Sequence, residues 1–76
     1  GFREIDLILG GFADSHLDAL DTSEVEAFEH LLDARDLDVY DWIVGRTPTP
    51  AEHDTTLMRK LQAFRHARVD APPETP

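Results

Sequence analysis

The strongest constraint on the fold is the spacing of the apolar residues, which recur every three or four positions in four separate segments. This period places them on one side of an α-helix, whereas a half-buried strand would alternate. The four stripes are Phe2, Ile5, Ile8, Leu9 and Phe12; Val25, Phe28, Leu31 and Leu32; Leu37, Tyr40, Ile43 and Val44; and Leu57, Met58, Leu61 and Phe64. The sequence therefore predicts an all-α fold, a small compact helical bundle with four helices in this chain.

The first segment, GFREIDLILGGF at residues 1–12, mixes charges and glycines into its apolar pattern. We predict a helix over residues 2–18, with a bend near Gly10 and Gly11 as one option. A glycine inside a helix costs about 0.8–1 kcal/mol relative to alanine. That cost is offset if a neighbouring helix or a partner approaches the backbone closely at this point, and the alternative is a kink.

Capping signals place the second and third helices. Asp21 is the expected N-cap of the second helix, and Glu24, three positions later, completes a capping box. This helix is expected to end near residues 33–34. Asp36 is the expected N-cap of the third helix, and Gly45 suits its C-terminal cap.

The last helix is expected to begin in the segment TPTPAEH. Thr49 can act as its N-cap, Pro50 fits the first helical position, and Glu52 completes a second capping box. The final residues contain three prolines and no apolar period, which is typical of disorder. We therefore predict one helical bundle domain at residues 1–68 and a disordered tail at residues 69–76.

Length and charge exclude several classes of protein. Seventy-six residues allow one domain at most. The net charge of −9 argues against nucleic acid as a partner, because an acidic surface repels phosphate. No apolar run approaches the roughly 20 residues that span a bilayer, so we expect no membrane insertion. The absence of cysteine fits a reducing compartment.

The sequence contains no recognisable catalytic or metal-binding motif. It has no cysteine nucleophile and no Gly-x-Ser-x-Gly element, so we predict that the chain is not an enzyme. The four histidines are dispersed over the predicted helices without the spacing of a zinc motif. No metal site is therefore predicted. The histidines are His16, His30, His53 and His66.

The charges and glycines of the first helix lie beside its apolar arc. Glu4, Leu7 and Gly11 lie along one line on the helix surface. An exposed leucine beside missing side chains makes a flat surface on which another backbone could settle. The alternative is a solvated helix face with a kink.

These residues resemble the R-G-x-x-E signature of the SdhE family of succinate dehydrogenase assembly factors. Gly1 matches the glycine, Glu4 matches the glutamate, and Asp6 matches an aspartate two positions further on. Phe2 and Arg3 occupy the two positions between. The arginine of the signature would precede Gly1.

Two further segments continue the resemblance. FEHLLD at residues 28–33 is similar to the family pattern F-x-x-L-L-[ED]. DVYDWIVG at residues 38–45 is similar to its D-L-[FYL]-x-W-[LI] element, although Leu37 stands where a proline is usual. Together the three motifs cover about residues 1–65.

The resemblance implies a fold, a function and a binding surface. The family fold is a five-helix bundle, whose first helix would precede this chain. The implied function is promotion of covalent FAD attachment to the flavoprotein subunit of succinate dehydrogenase, and fumarate reductase is a further partner to consider. FAD would act on that partner, with no cofactor tightly bound to this chain. The implied partner-binding residues are Gly1, Arg3, Glu4, Asp6, Leu7 and Gly11.

A second functional interpretation uses the acidity alone. A small acidic antitoxin-like or inhibitory protein would mask a basic site on its target through distributed charge. It would not need the pattern around Glu4. For either function we expect a cytoplasmic protein, with the mitochondrial matrix as the alternative.

Overall fold

The computed structural model describes residues 3–70, with side chains for residues 4–68. Four α-helices form the fold: α1 (Arg3–His16), α2 (Thr22–Leu32), α3 (Asp36–Val44) and α4 (Thr56–Asp70). Short 3₁₀ turns follow α1 and precede α4, at Leu17–Ala19 and Ala51–His53. The described residues contain no strand, and the predicted all-α, four-helix architecture is confirmed.

The last helix, α4, organises the core because it packs against each of the other three helices. Phe12 of α1 has its ring centroid 6.0 Å from that of Phe28 in α2 and 5.7 Å from that of Phe64 in α4. These contacts join three helices around one aromatic cluster. The buried apolar side chains of the core are Ile5, Ile8, Phe12, Phe28, Leu31, Val39, Ile43, Leu57, Met58 and Leu61.

The predicted capping box of α2 and the predicted C-cap of α3 are present, but the predicted N-cap of α3 is wrong. The Asp21 side chain accepts a hydrogen bond from the Glu24 backbone N–H at 2.8 Å, and Glu24 Oε1 accepts one from the Asp21 N–H at 3.1 Å. Gly45 ends α3 with φ +83°, a left-handed conformation that glycine adopts without steric cost. The N-cap of α3 is Arg35, one residue before the predicted Asp36.

The predicted start of the last helix is wrong. Pro50 has extended backbone angles and Glu52 belongs to the 3₁₀ turn, so the predicted Thr49–Glu52 capping box does not form. The chain leaves helical geometry at Asp54, with φ −86° and ψ 77°. The Thr55 hydroxyl then accepts a hydrogen bond from the Met58 N–H at 3.1 Å, as an N-cap does. The 3₁₀ turn places His53 in the interior, which local cap signals could not reveal.

The predicted apolar stripes of α2 and α3 need correction at their edges. Leu32 is 53 % exposed and Leu37 is 58 % exposed, although both were expected to face inward. In α3 the buried pair is Val39 and Ile43, one turn apart, because that side meets α1 and α4. A nine-residue helix can present either side to a core, and only the packing decides which one.

A polar network ties α2 to α4. Lys60 Nζ lies 2.7 Å from Glu24 Oε2, and the Thr56 hydroxyl donates to the same oxygen at 3.1 Å. Glu24 therefore completes the α2 capping box and also forms the ion pair that links α2 to α4. The Lys60 ammonium, together with the backbone N–H of Asp21, holds the pKa of the Glu24 carboxyl below its usual value.

Within the described part of the chain, no helix combines the length and apolarity required to cross a bilayer. The predicted tail, residues 69–76, lies outside the described residues except for the last two positions of α4, and its disorder stays a prediction.

Candidate docking face

The side of α1 opposite the core is exposed and forms a continuous strip. We call it the α1 outer face and define it by Glu4, Asp6, Leu7, Gly10 and Asp14, all of which are exposed. Residues three or four apart are neighbours on a helix surface, so Leu7 lies at the centre of this strip. The core residues Ile5, Ile8 and Phe12 occupy the opposite side of α1.

Four of the six residues predicted to bind a partner belong to the α1 outer face or lie at its border. Glu4 and Asp6 are exposed, and Leu7 is 49 % exposed. Gly11, at the border of the face, is half-buried. Gly1 and the Arg3 side chain lie outside the described residues. The Glu4 carboxylate is accessible to another molecule, which is the condition that a docking role requires.

Gly10 has no structural explanation within the fold. A Cβ added at this position meets no other atom within 4 Å, and the backbone has no positive φ here. Alanine would therefore fit, and would favour the helix by about 0.8–1 kcal/mol. An exposed helical glycine that neither packing nor backbone geometry demands is a local cost, and such costs are expected where a protein has a binding function.

Gly11 has a structural explanation. A Cβ there would lie 3.2 Å from Arg68 Nη1 and 3.3 Å from Phe64 Cζ, closer than most side chains tolerate. The missing side chain lets α4 approach α1. Of the two options weighed for these glycines, close approach by a neighbouring helix therefore holds at Gly11. The helix runs through both glycines without a break.

The α1 outer face is acidic and its carboxylates are uncommitted. Within residues 4–68, neither Glu4 nor Asp6 forms an ion pair, whereas Glu24 and Asp41 do. Unpaired carboxylates on a helix that also exposes a leucine can meet a basic, partly apolar surface. The arrangement can therefore bind another protein.

The structure brings His30 next to Glu52 and His53, which lie more than twenty positions further along the chain. The His30 and His53 ring centroids are 4.7 Å apart, and His30 Nε2 lies 4.0 Å from Glu52 Oε1. The Trp42 ring also stacks on His53, with centroids 5.0 Å apart. Sequence reasoning missed this cluster because α2 and the 3₁₀ turn meet only in the folded chain. The adjacent Glu52-His53 pair was the one local signal.

A comparison with protein families identifies residues 1–65 with the family described as flavinator of succinate dehydrogenase. The chain is 33 % identical over 61 residues to the FAD assembly factor SdhE of Acetobacter pasteurianus, a match covering 80 % of this chain and 56 % of that protein. It is 34 % identical over 79 residues to the mitochondrial succinate dehydrogenase assembly factor 2 of Aedes aegypti, covering 95 % and 49 %.

A fungal protein gives a similar result. The mitochondrial succinate dehydrogenase assembly factor 2 of Cryptococcus neoformans is 41 % identical over 69 residues, covering 90 % of this chain and 38 % of that protein. The chain thus spans about half the length of the curated relatives it matches. No solved structure shows a significant match to it.

Proposed function

The chain belongs to the family described as flavinator of succinate dehydrogenase, and from that membership we propose that it is an assembly factor for the flavoprotein subunit of that enzyme. It binds this subunit and promotes covalent attachment of FAD to it. The chain is a binding chaperone and not itself an enzyme. FAD belongs to the partner, and this chain holds no cofactor tightly.

The observation that carries this proposal is the exposure of the α1 outer face. Glu4 is accessible and, within residues 4–68, unpaired, so it can accept a charge-assisted hydrogen bond from a basic group of the flavoprotein. Leu7, half-exposed at the centre of the face, supplies apolar area that docking removes from water. At Gly10 the open surface allows the partner's backbone to approach the helix.

The proposed docking surface extends beyond these three residues. Asp6 adds a second carboxylate at the border of the face. Gly11 lies at the other border, where it also serves the packing of α4. Gly1 and Arg3 complete the surface through the resemblance of the segment to the family signature.

Binding can promote the attachment without any catalytic group on this chain. A ligand that binds one conformer of a flexible protein more tightly shifts the population toward that conformer. If the favoured conformer aligns the reacting groups of the flavoprotein, the entropic part of the barrier falls. A tenfold preference for that conformer corresponds to about 1.4 kcal/mol. The face is presented by α1, which packs against α4.

The setting follows from the same proposal. We place the chain in the bacterial cytoplasm, with the mitochondrial matrix as the alternative, because its relatives include a bacterial protein and mitochondrial ones. The flavoprotein of fumarate reductase is a second partner to test, since it would need only a docking surface like that of the succinate dehydrogenase flavoprotein.

A reconstitution tests the proposal. The apo form of the flavoprotein subunit from the same organism is incubated with FAD, with and without this chain. Covalent flavin is then measured as fluorescence that stays with the denatured subunit. We expect the chain to raise the yield, and Glu4→Ala to weaken binding about tenfold, since a hydrogen bond to a charged group contributes about 1.5–3 kcal/mol.

The control is Glu26→Ala, which removes an exposed carboxylate from α2, outside the α1 outer face. It should leave flavin attachment unchanged. If both variants lose the same small amount of binding, distributed charge is responsible and the antitoxin-like or inhibitory function gains support. If the chain neither binds the subunit nor raises covalent flavin, the proposal is wrong.

A further inference from the structure

The cluster of His30, Glu52 and His53 is not used by the proposed function. It lies where the C-terminal end of α2 meets the 3₁₀ turn before α4. One ligand atom from each residue lies within 4.8 Å of the other two. Two imidazoles and one carboxylate are a donor set that binds Zn²⁺ in proteins, with a fourth position left for water.

His53 is the fixed point of this cluster. The residue is buried, with 7 % exposed, and its ring stacks on Trp42 and contacts the tilted ring of His30. Within residues 4–68 no side-chain hydrogen bond involves its ring. Neither ring nitrogen is fully closed off from solvent, so the ring can still offer a lone pair to an incoming metal ion.

The other two residues can move to meet a metal ion. The side chains of His30 and Glu52 are 55 % and 67 % exposed, so both can change rotamer and both leave a path from solvent. Bond lengths of about 2.0–2.2 Å place tetrahedral ligand atoms about 3.4 Å apart. The 4.0 Å between His30 Nε2 and Glu52 Oε1 therefore needs only a small closure.

We propose that His30, Glu52 and His53 form a three-ligand Zn²⁺ site with its fourth position occupied by water. The ion would connect the end of α2 to the segment between α3 and α4. Glu52 and His53 both lie in the 3₁₀ turn of that segment. Because the three ligands come together only in the folded chain, binding of the ion would stabilise the bundle. This inference stands independently of the proposed function.

Calorimetric titration of the untagged chain with ZnCl₂, in buffer without chelator, tests the proposal. One Zn²⁺ per chain is expected, with a rise in Tm that grows with zinc concentration. The signal should persist in a large excess of Mg²⁺, which prefers octahedral oxygen ligands, and this separates the site from binding to the many exposed carboxylates.

The substitutions are made at the two exposed ligands, because replacing the buried His53 could disturb the fold. His30→Gln and Glu52→Gln should each weaken Zn²⁺ binding roughly 10–100-fold, as losses around metal sites commonly do. His66→Gln, an exposed histidine of α4 outside the cluster, should leave the affinity unchanged. Absence of saturable one-to-one binding would overturn the proposal, as would equal affinity of the His30→Gln variant and the unmodified chain.

Discussion

At the scale of single residues, Gly10 and Gly11 show how neighbours in sequence can have different reasons to be glycine. Gly11 faces Phe64 and Arg68 at distances that leave no room for a Cβ without adjustment. Gly10 faces open space on the α1 outer face. The sequence predicted a flat, weakened place in the helix but could not divide the two roles, because that division depends on where α4 lies.

Gly10→Ala is expected to stabilise the chain and weaken docking. The helix gains about 0.8–1 kcal/mol, which raises Tm by roughly 4–8 °C in a domain of this size. The added methyl group stands where the proposed partner approaches, so binding of the flavoprotein should fall. Thermal unfolding followed by circular dichroism measures the first effect, and the reconstitution of flavin attachment measures the second.

Gly11→Ala is the matched comparison. Its methyl group would press on the Phe64 ring, which is held edge-on against Phe12, so the helix gain is partly or wholly lost. A larger rise in Tm at position 11 than at position 10 would contradict the packing described here. Unchanged docking by Gly10→Ala would remove Gly10 from the proposed surface.

At the scale of elements, the four helices occur where the apolar period and the caps predict them. The exact ends of the helices and the sides that they bury agree less well with the prediction. The α2 capping box and the Gly45 cap formed as predicted. The Thr49–Glu52 box did not, and a 3₁₀ turn stands in its place. Both segments carry acceptable cap residues, so the local signal was ambiguous. Because α4 begins only at Thr56, His53 lies in the 3₁₀ turn before it, where it is buried.

The start of α4 can be tested by two threonine variants. Thr55→Ala removes the hydroxyl that accepts the Met58 N–H, and it should cost about 0.5–2 kcal/mol of unfolding free energy. Thr49→Ala removes a residue that caps no helix here, and it should change stability by less than about 0.5 kcal/mol. Denaturant unfolding of both variants gives the two values. A larger loss of unfolding free energy for Thr49→Ala than for Thr55→Ala would contradict this start of α4 and support the predicted capping box.

At the scale of the whole molecule, the fold concentrates its packing on one side of α1 and leaves the other side uncommitted. Core contacts to α4 bury Ile5, Ile8 and Phe12, which fixes the rotation of α1 about its axis. The same rotation exposes Glu4, Leu7 and Gly10 together. The exposure of the α1 outer face is thus a consequence of how the core is packed.

Stability at acid pH depends on the link between α2 and α4. Because the pKa of Glu24 is lowered in the folded chain, its ion pair with Lys60 stabilises the fold above the ordinary carboxyl value of 4.5. That contribution is lost as the pH falls through the lower folded value. Glu24→Gln should therefore lower Tm clearly near pH 7, and the difference from the unmodified chain should shrink below pH 4.5.

Glutamine also suits this position of a capping box, so the variant removes chiefly the ionic link. Glu26→Gln, an exposed carboxylate on the same helix, is the control and should change Tm little at either pH. A Tm difference for Glu24→Gln that stays constant with pH would show that the Lys60 pair does not supply the stabilisation.

The sequence by itself determined the features that arise within a few residues along the chain. Helix content follows from the apolar period, and the capping box of α2 follows from two side chains three positions apart. The C-cap of α3 follows from a glycine, and the exposed line through Glu4 and Leu7 follows from helix geometry. The docking residues became a specific hypothesis only through the resemblance of three ordered motifs. All of these signals are local, so they can be recognised in the sequence without knowledge of the packing.

Only the tertiary structure decided which elements meet. The pair of Glu24 and Lys60, the contact of Gly11 with Phe64, and the cluster of His30 with His53 each join positions far apart in the chain. The orientation of α3, with Val39 inside and Leu37 outside, belongs to the same class. Such choices depend on the simultaneous burial of several helices around α4, and no single segment contains the energy that selects them.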